Sequence, residues 1–229
     1  MKRIFVVLVL ACVCFVSKAQ SEPCSFVEAK PVWSEGRETE KNLFLSFREV
    51  IEVGRVEAAT IRLTASCDYR MRINGDFVAH GPSVAAHDFY RVDCYDVTQY
   101  LREGKNVVAI EVAGYNSPSY YLLDQPSFLQ AEVEVDGKVV AATGRDFTAY
   151  DYGERVADVP KFSFQRPYTE AYVLDSSYDD WATDKKWRST VKAEKLVEQE
   201  HKALLSRGVA YPDYRLHKAK PIAENLYKF

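Results

Sequence analysis

The sequence predicts a mainly β protein, an antiparallel β-sandwich or jelly roll with few short helices. Short segments of alternating or wholly apolar residues recur from residue 42 onward, at the spacing typical of sandwich strands. Asn74-Gly75 and Asp136-Gly137 each separate two such segments, and these dipeptides favour a tight hairpin because both residues accept positive φ. No series of alternating strand and helix segments is present, which argues against a Rossmann fold or a βα barrel.

The first residues have the features of a secretory signal peptide. Lys2 and Arg3 precede the uninterrupted apolar run 4–16, which is shorter than the roughly 20 residues that a membrane-spanning helix needs. Small residues follow the run and predict cleavage after Ala19. We therefore expect residues 1–19 to be removed and the protein to be periplasmic or secreted.

The cysteines leave two questions open. A lipoprotein anchored through Cys12 is an alternative to simple secretion, because residues 9–12 form an imperfect lipid-attachment motif. After cleavage Cys24, Cys67 and Cys94 remain. An odd number in an exported protein fits one disulfide and one thiol, or three buried thiols. No CxxC pair remains, so the sequence does not support a structural zinc site or a thioredoxin-like site.

Residues 20–175 are predicted to form the sandwich domain. Its expected strands are residues 43–47, 59–65, 69–73, 77–79, 107–112, 128–135 and 139–143. Residues 96–101 are typical of one short helical turn, which Gly104 ends in a left-handed conformation. Residues 151–160 are polar and predict a loop.

The remaining residues, 176–229, are predicted to be a linker or the start of a second sandwich domain. Residues 211–229 contain two prolines and no periodic pattern. Before them, an apolar spacing favours one face of a helix, and a strand followed by a loop is the alternative. The apolar residues concerned are Ala193, Leu196, Val197, Leu204 and Leu205.

The composition argues against a nucleic-acid partner. The formal net charge is −3, whereas nucleic-acid binders carry a basic patch and a high isoelectric point. Aromatic residues make up 13% of the chain and include 15 tyrosines, which suits strands and surfaces that face sugars.

Sugar binding is predicted for a loop that mixes aromatic and polar residues, together with two residues further along the chain. Aromatic rings stack on the apolar faces of sugars, while amide, carboxylate and guanidinium groups bond the hydroxyls. The alternative is that the tyrosines only cover a sheet and that Arg166 and Glu170 form a structural ion pair. The predicted sugar-binding residues are Asn116, Tyr120, Tyr121, Asp124, Gln125, Arg166 and Glu170.

No catalytic residue and no metal ligand is assigned. The motifs GxSxG and HExxH and the Gly-rich phosphate loop are absent, and no acid stands in a context that marks it for glycoside hydrolysis. His80 and His87 match no metal-binding spacing. We expect no cofactor, with calcium at Asp179, Asp180 and Asp184 as the one alternative.

Two segments resemble the galactose-binding-like jelly-roll domains of large secreted glycoside hydrolases. They are residues 69–82, around Asn74-Gly75, and residues 95–112, which read DVTQYLREGKNVVA in their central part. Residues 120–132 and 164–170 resemble the N-terminal region of α-L-rhamnosidase-like proteins of glycoside hydrolase family 78. The catalytic acid and base of that family lie in an (α/α) barrel, to which nothing in this sequence corresponds.

The resemblance implies an accessory, noncatalytic β-sandwich module, the N-terminal fragment of a secreted α-L-rhamnosidase-like glycoside hydrolase acting on rhamnose-containing glycans. The implied partners are such a glycan and the catalytic barrel domain of longer relatives, with no nucleic acid and no membrane span. This chain alone is expected to be inactive. A stand-alone carbohydrate-binding protein without hydrolase activity is the alternative.

Overall fold

The computed structural model describes residues 24–215 together with Lys218 and Lys220. The expected signal peptide, its cleavage after Ala19 and the lipid attachment at Cys12 lie outside the described residues. In the part of the chain that is described, no helix is long and apolar enough to cross a membrane.

Twelve strands build the described fold. They are β1 (Val32–Ser34), β2 (Leu43–Val53), β3 (Ala59–Ser66), β4 (Asp68–Ile73), β5 (Asp76–Gly81), β6 (Phe89–Asp96), β7 (Gly104–Gly114), β8 (Phe128–Val135), β9 (Lys138–Ala142), β10 (Thr148–Asp151), β11 (Leu196–Glu198) and β12 (Ala203–Ser206). Helical structure within the described residues is limited to two 3₁₀ turns, Thr98–Tyr100 and Ser176–Tyr178.

The strands form two sheets that pack face to face. The seven-stranded sheet has the order β11-β1-β8-β3-β6-β12, with β9 paired to β8, and the five-stranded sheet has the order β10-β2-β7-β4-β5. The pairs are antiparallel except β12 with β6, which is parallel. This architecture confirms the predicted β-sandwich.

The core lies between the two sheets and consists of alternate residues of their strands. β7 contributes Val108, Ile110 and Val112, and β3 contributes Ile61 and Leu63, all essentially inaccessible to solvent. The alternation places every second residue of each strand on the outer face of its sheet, where the side chains need not be apolar.

Both predicted hairpins are present. In the first, Asn74 of the turn and Asn106 of the segment 95–112 are joined by a hydrogen bond. Asn74 and Gly75 have φ values of 53° and 88° between β4 and β5. The Asn74 amide donates to the side-chain oxygen of Asn106 at 2.8 Å, and its own oxygen accepts from the backbone N–H of Val107. The buried Asn106 amide also bonds the backbone of Arg102 at 2.7 and 2.8 Å, which fixes the turn before β7.

The prediction of a helix for the apolar residues between Ala193 and Leu205 is wrong, because this segment forms the two short strands β11 and β12. β11 pairs with β1, and β12 pairs with β6, so this part of the chain returns to the edges of the larger sheet. An edge offers unpaired N–H and C=O groups, and pairing with them outweighs a moderate helical pattern. β1, β6 and β10 were not predicted; in β6 the buried polar Asp93 interrupts the apolar pattern.

Residues 176–188 cover one end of the outer face of the five-stranded sheet. Trp181 and Trp187 pack against Val107 and Ala109 of β7. The Arg48 guanidinium of β2 donates to the carbonyl oxygen of Trp181 at 2.8 Å and lies 5.6 Å from the Trp187 ring centroid. This combination of a hydrogen bond and a cation–π contact fixes the segment on the sheet.

The last described residues follow the edges of both sheets. Arg207 pairs with the fully buried Asp93, and the Tyr211 hydroxyl accepts a hydrogen bond from the backbone N–H of Cys94 at 2.8 Å. The Tyr214 hydroxyl accepts from the backbone N–H of His80 at 3.1 Å and donates to its carbonyl oxygen at 2.7 Å, on the outer edge of β5.

A disulfide and a set of hydrogen bonds to one carboxylate hold the amino-terminal segment to the larger sheet. A disulfide joins Cys24 to Cys94, which selects the disulfide-plus-thiol alternative, with Cys67 as the free thiol. The carboxylate of Glu132, fully buried in β8, accepts hydrogen bonds from the backbone N–H groups of residues 27–29 at 2.9–3.1 Å. Arg62 pairs with the same carboxylate at 3.2 Å.

Glu132→Gln is expected to lower the free energy of unfolding by about 3 kcal/mol, because the new amide turns a donor toward backbone N–H groups and leaves buried groups unpaired. Glu134→Gln is the matched control, since Glu134 pairs with the same Arg62 at 2.9 Å but is partly exposed, and it should cost less than about 1 kcal/mol. Urea unfolding of the three proteins measures the difference. Equal losses of unfolding free energy in the two variants would show that the buried contacts of Glu132 do not hold the amino-terminal segment.

Candidate functional site

Two neighbouring loops leave the same end of the five-stranded sheet and form one surface. The first, residues 115–127, joins β7 to β8, and the second, residues 152–175, follows β10. The backbone N–H of Tyr120 donates to the carbonyl oxygen of Gln165 at 3.2 Å, and the Lys161 ammonium donates to that of Pro118 at 2.8 Å. We call this surface the paired loops.

The paired loops expose several large aromatic side chains. Tyr120, Phe162 and Phe164 are 75%, 76% and 81% accessible, and Tyr121 is 45% accessible. Single exposed apolar residues are normal on protein surfaces, but several exposed rings on two adjoining loops are typical of a binding surface.

An open hollow of about 550 Å³ lies between the two loops. It brings three of the predicted residues together, Tyr121, Arg166 and Glu170, and places Phe162 and Tyr168 beside them. In the described part of the chain no ion pair joins Arg166 to Glu170; instead the Glu170 carboxylate accepts a hydrogen bond from the Tyr172 hydroxyl at 3.0 Å. The Arg166 guanidinium is therefore available to a ligand.

The other predicted residues lie outside this hollow. Asn116 is buried, and its amide donates to the Glu38 carbonyl oxygen at 3.4 Å, so its side chain supports the first loop. Gln125 lines a second hollow of about 50 Å³ that Tyr121 also borders, and its buried side-chain oxygen has no hydrogen-bond partner among the residues that the structure describes. Tyr120 and Asp124 are exposed on the same loop.

Aromatic and cationic packing beneath the paired loops holds them on the sheet. Tyr115 meets Phe44 of β2 edge-on with 5.3 Å between ring centroids. The Arg155 guanidinium lies 3.7 Å from the Phe44 ring centroid and donates to the Asn42 side-chain oxygen at 2.8 Å. Burial raises the pKa of Tyr115 to about 12, so its hydroxyl stays protonated at neutral pH. Sequence reasoning did not assign Phe162 and Tyr168 to the site, although Tyr168 lies within the motif 164–170 that contains Arg166 and Phe162 lies just before it.

The acids considered for calcium cap local turns. Asp180 accepts from the Thr183 hydroxyl at 3.3 Å, and Asp184 accepts from the backbone N–H of Lys186 at 2.9 Å. Nowhere in residues 24–215 do three or more His, Cys, Asp or Glu side chains form a group suited to a metal ion. Calcium binding stays an untested alternative.

Comparisons with known proteins relate this fold to glycoside hydrolases. A family GH78 rhamnosidase of Bacillus sp. GL1 matches 65% of this chain with 27% identity and a TM-score of 0.61. An α-L-rhamnosidase from Aspergillus terreus matches 78% with 20% identity and a TM-score of 0.58, and the Streptomyces avermitilis α-L-rhamnosidase complexed with L-rhamnose matches 72% with 20% identity and a TM-score of 0.50.

These matches concern one part of much larger proteins. They cover 16%, 22% and 16% of the three rhamnosidases, in the same order. No protein-family model matches the sequence, and no curated protein matches it. The resemblance to the family 78 proteins is thus confirmed in three dimensions: this chain shares the β-sandwich fold of a segment of the α-L-rhamnosidases.

Proposed function

We propose that this chain is an accessory, noncatalytic carbohydrate-binding module of a secreted α-L-rhamnosidase-like glycoside hydrolase that acts on rhamnose-containing glycans. The observation that carries the proposal is the open hollow between the paired loops, where exposed rings lie beside a carboxylate and a guanidinium that no acid of the described residues pairs with. The shared fold with rhamnosidase segments supports it. The proposal places the protein in the periplasm or outside the cell, includes no cofactor, and takes the catalytic barrel of longer relatives as a partner.

The chemistry of the hollow suits a neutral sugar. The Tyr121 and Phe162 rings offer flat apolar surfaces to the C–H face of a pyranose, which is the contact that aromatic residues make with sugars. Arg166 donates to ring or hydroxyl oxygens, and Glu170 accepts from hydroxyl groups. Because the hollow is wide and open, it admits one unit of a longer chain as readily as a chain end.

A stand-alone carbohydrate-binding protein is the second candidate, and the same hollow supports it. The two candidates differ in whether a hydrolase domain belongs to the same polypeptide. Sequencing the gene beyond the codon of Phe229 separates them. An in-frame continuation that encodes a helical barrel supports the accessory module, and a stop codon followed by an unrelated gene supports the stand-alone protein.

Tyr121→Ala and Arg166→Ala are expected to weaken binding to a rhamnose-containing oligosaccharide at least tenfold each, because one removes a stacking surface and the other a charged donor. Both side chains are exposed and have little role in the fold, so the melting temperature should change little. Phe77→Ala is the control, because Phe77 is also partly exposed but lies beside the hairpin turn at the other end of β5. Titration calorimetry measures the affinities. Unchanged affinity in both loop variants would contradict the site.

The purified chain is expected to show no turnover of an aryl α-L-rhamnoside. Glycoside hydrolysis needs two carboxyl groups on either side of the scissile bond, with room for a sugar on one side and the leaving group on the other. Among the described residues Glu170 is the one acid that lines this hollow, and the nearest others, Asp68 and Glu111, lie beyond it on the sheet, so no second carboxyl group faces Glu170 across the hollow. Release of the aryl alcohol is followed by absorbance, and turnover lost on Glu170→Gln would show that the chain is itself a hydrolase.

A further inference from the structure

A third, more enclosed pocket lies on the outer face of the five-stranded sheet, beside the paired loops. Strand register builds its floor. Glu111 of β7 is opposite Arg70 of β4, and Arg70 is opposite His80 of β5, so the three side chains form one cross-strand row. In the neighbouring row, Ala113 of β7 is opposite Asp68 of β4.

The small side chain of Ala113 makes the pocket possible. Phe44 of β2 is opposite Ala113 on its other side, so a methyl group stands between an aromatic ring and a carboxylate. The resulting cavity measures about 100 Å³, several times the space that one water needs. Tyr115 forms a wall, and Glu170 lies at the boundary that this pocket shares with the open hollow.

The polar groups of the pocket have unused bonding capacity. Within the described residues the Asp68 carboxylate and the His80 imidazole form no side-chain hydrogen bond, and Glu111 meets Arg70 in a single ion pair at 3.4 Å. Burial raises the pKa of Asp68 and of Glu111; the charge of His80 opposes the first shift, and those of Arg70 and Arg72 oppose the second. His80 thus faces Asp68 as a charge but gives it no hydrogen bond, and a hydroxyl group of a ligand would supply the missing donor.

We propose that this pocket binds the hydroxylated edge of one neutral sugar unit and forms a second subsite next to the open hollow. This inference rests on the proposed function and deepens it. Two adjacent hydroxyls of a sugar donate to Asp68 and Glu111, Arg70 donates to a sugar oxygen, and Phe44 and Tyr115 flank the ring.

The charge of the pocket selects neutral over acidic sugars. Three acidic side chains, Asp68, Glu111 and Glu170, line the pocket against two basic ones, Arg70 and His80, so the carboxylate of a uronic acid would face net repulsion at neutral pH. A metal ion is a poorer occupant, because no metal-binding group is found among the residues that the structure describes.

The shared position of Glu170 makes the two sites continuous. A glycan whose one unit stacks on Tyr121 in the open hollow reaches the pocket with the next unit across Glu170. Because a disaccharide would occupy both sites, we expect it to bind more tightly than a monosaccharide.

The test compares methyl α-L-rhamnoside with D-galacturonate on the full chain by titration calorimetry. Asp68→Asn and Glu111→Gln are expected to weaken binding of the neutral sugar about tenfold and to reduce the preference for it over the uronate at least as much. Glu134→Gln, a partly exposed carboxylate of the other sheet, should leave both values unchanged. A merely structural role would not alter the preference between the two sugars.

The outcomes separate the two proposals. If the wild type binds neither sugar and no rhamnose-containing oligosaccharide, both are overturned. If Tyr121→Ala weakens binding while Asp68→Asn and Glu111→Gln change neither affinity nor preference, the proposed function stands and the pocket is overturned. Where a variant does not fold, amide chemical shifts of the wild type decide: sugar-dependent shifts at Asp68, Arg70 and Ala113 support the pocket, and shifts confined to the paired loops overturn it.

Discussion

One face of the five-stranded sheet packs in the core between the two sheets. The segments that cover its outer face determine where a ligand can bind. At the hairpin end, Trp181 and Trp187 cover Val107 and Ala109, and Arg48 holds them there. At the loop end, apolar packing around Phe44 carries the paired loops. Between these two covers the strands present charged side chains, and this uncovered region contains the pocket.

Local signals were sufficient to predict much of the sandwich. Asn-Gly and Asp-Gly turns specify hairpins through backbone conformations that few other residues adopt, so Asn74-Gly75 and Asp136-Gly137 were found directly. β11 and β12 could not be found this way, because their pairing partners β1 and β6 lie more than a hundred residues earlier in the chain. Their apolar spacing fits more than one structure, and the edge of the larger sheet decides between them.

The candidate site was predictable to the extent that it depends on composition. Tyr121, Arg166 and Glu170 come from two mixed aromatic and polar segments, and the structure brings them into one hollow. Asn116 belongs to the same segment but turns inward, which composition does not reveal. The sequence did not predict that Asp68, Arg70 and Glu111 lie together, because they belong to two strands about 40 residues apart that are brought together only by strand register.

The hydrogen bonds of Tyr214 to the backbone of His80 bear on the behaviour of the protein in concentrated solution. β5 is an edge strand, and an edge strand with free N–H and C=O groups is a template for the strand of another molecule. The Tyr214 hydroxyl bonds both backbone groups of His80, near the carboxyl end of β5, and the Tyr214 ring packs against Phe77. At His80 the side chain of Tyr214 therefore takes the place that a neighbouring strand would occupy, and another molecule cannot pair with β5 at that residue without displacing it.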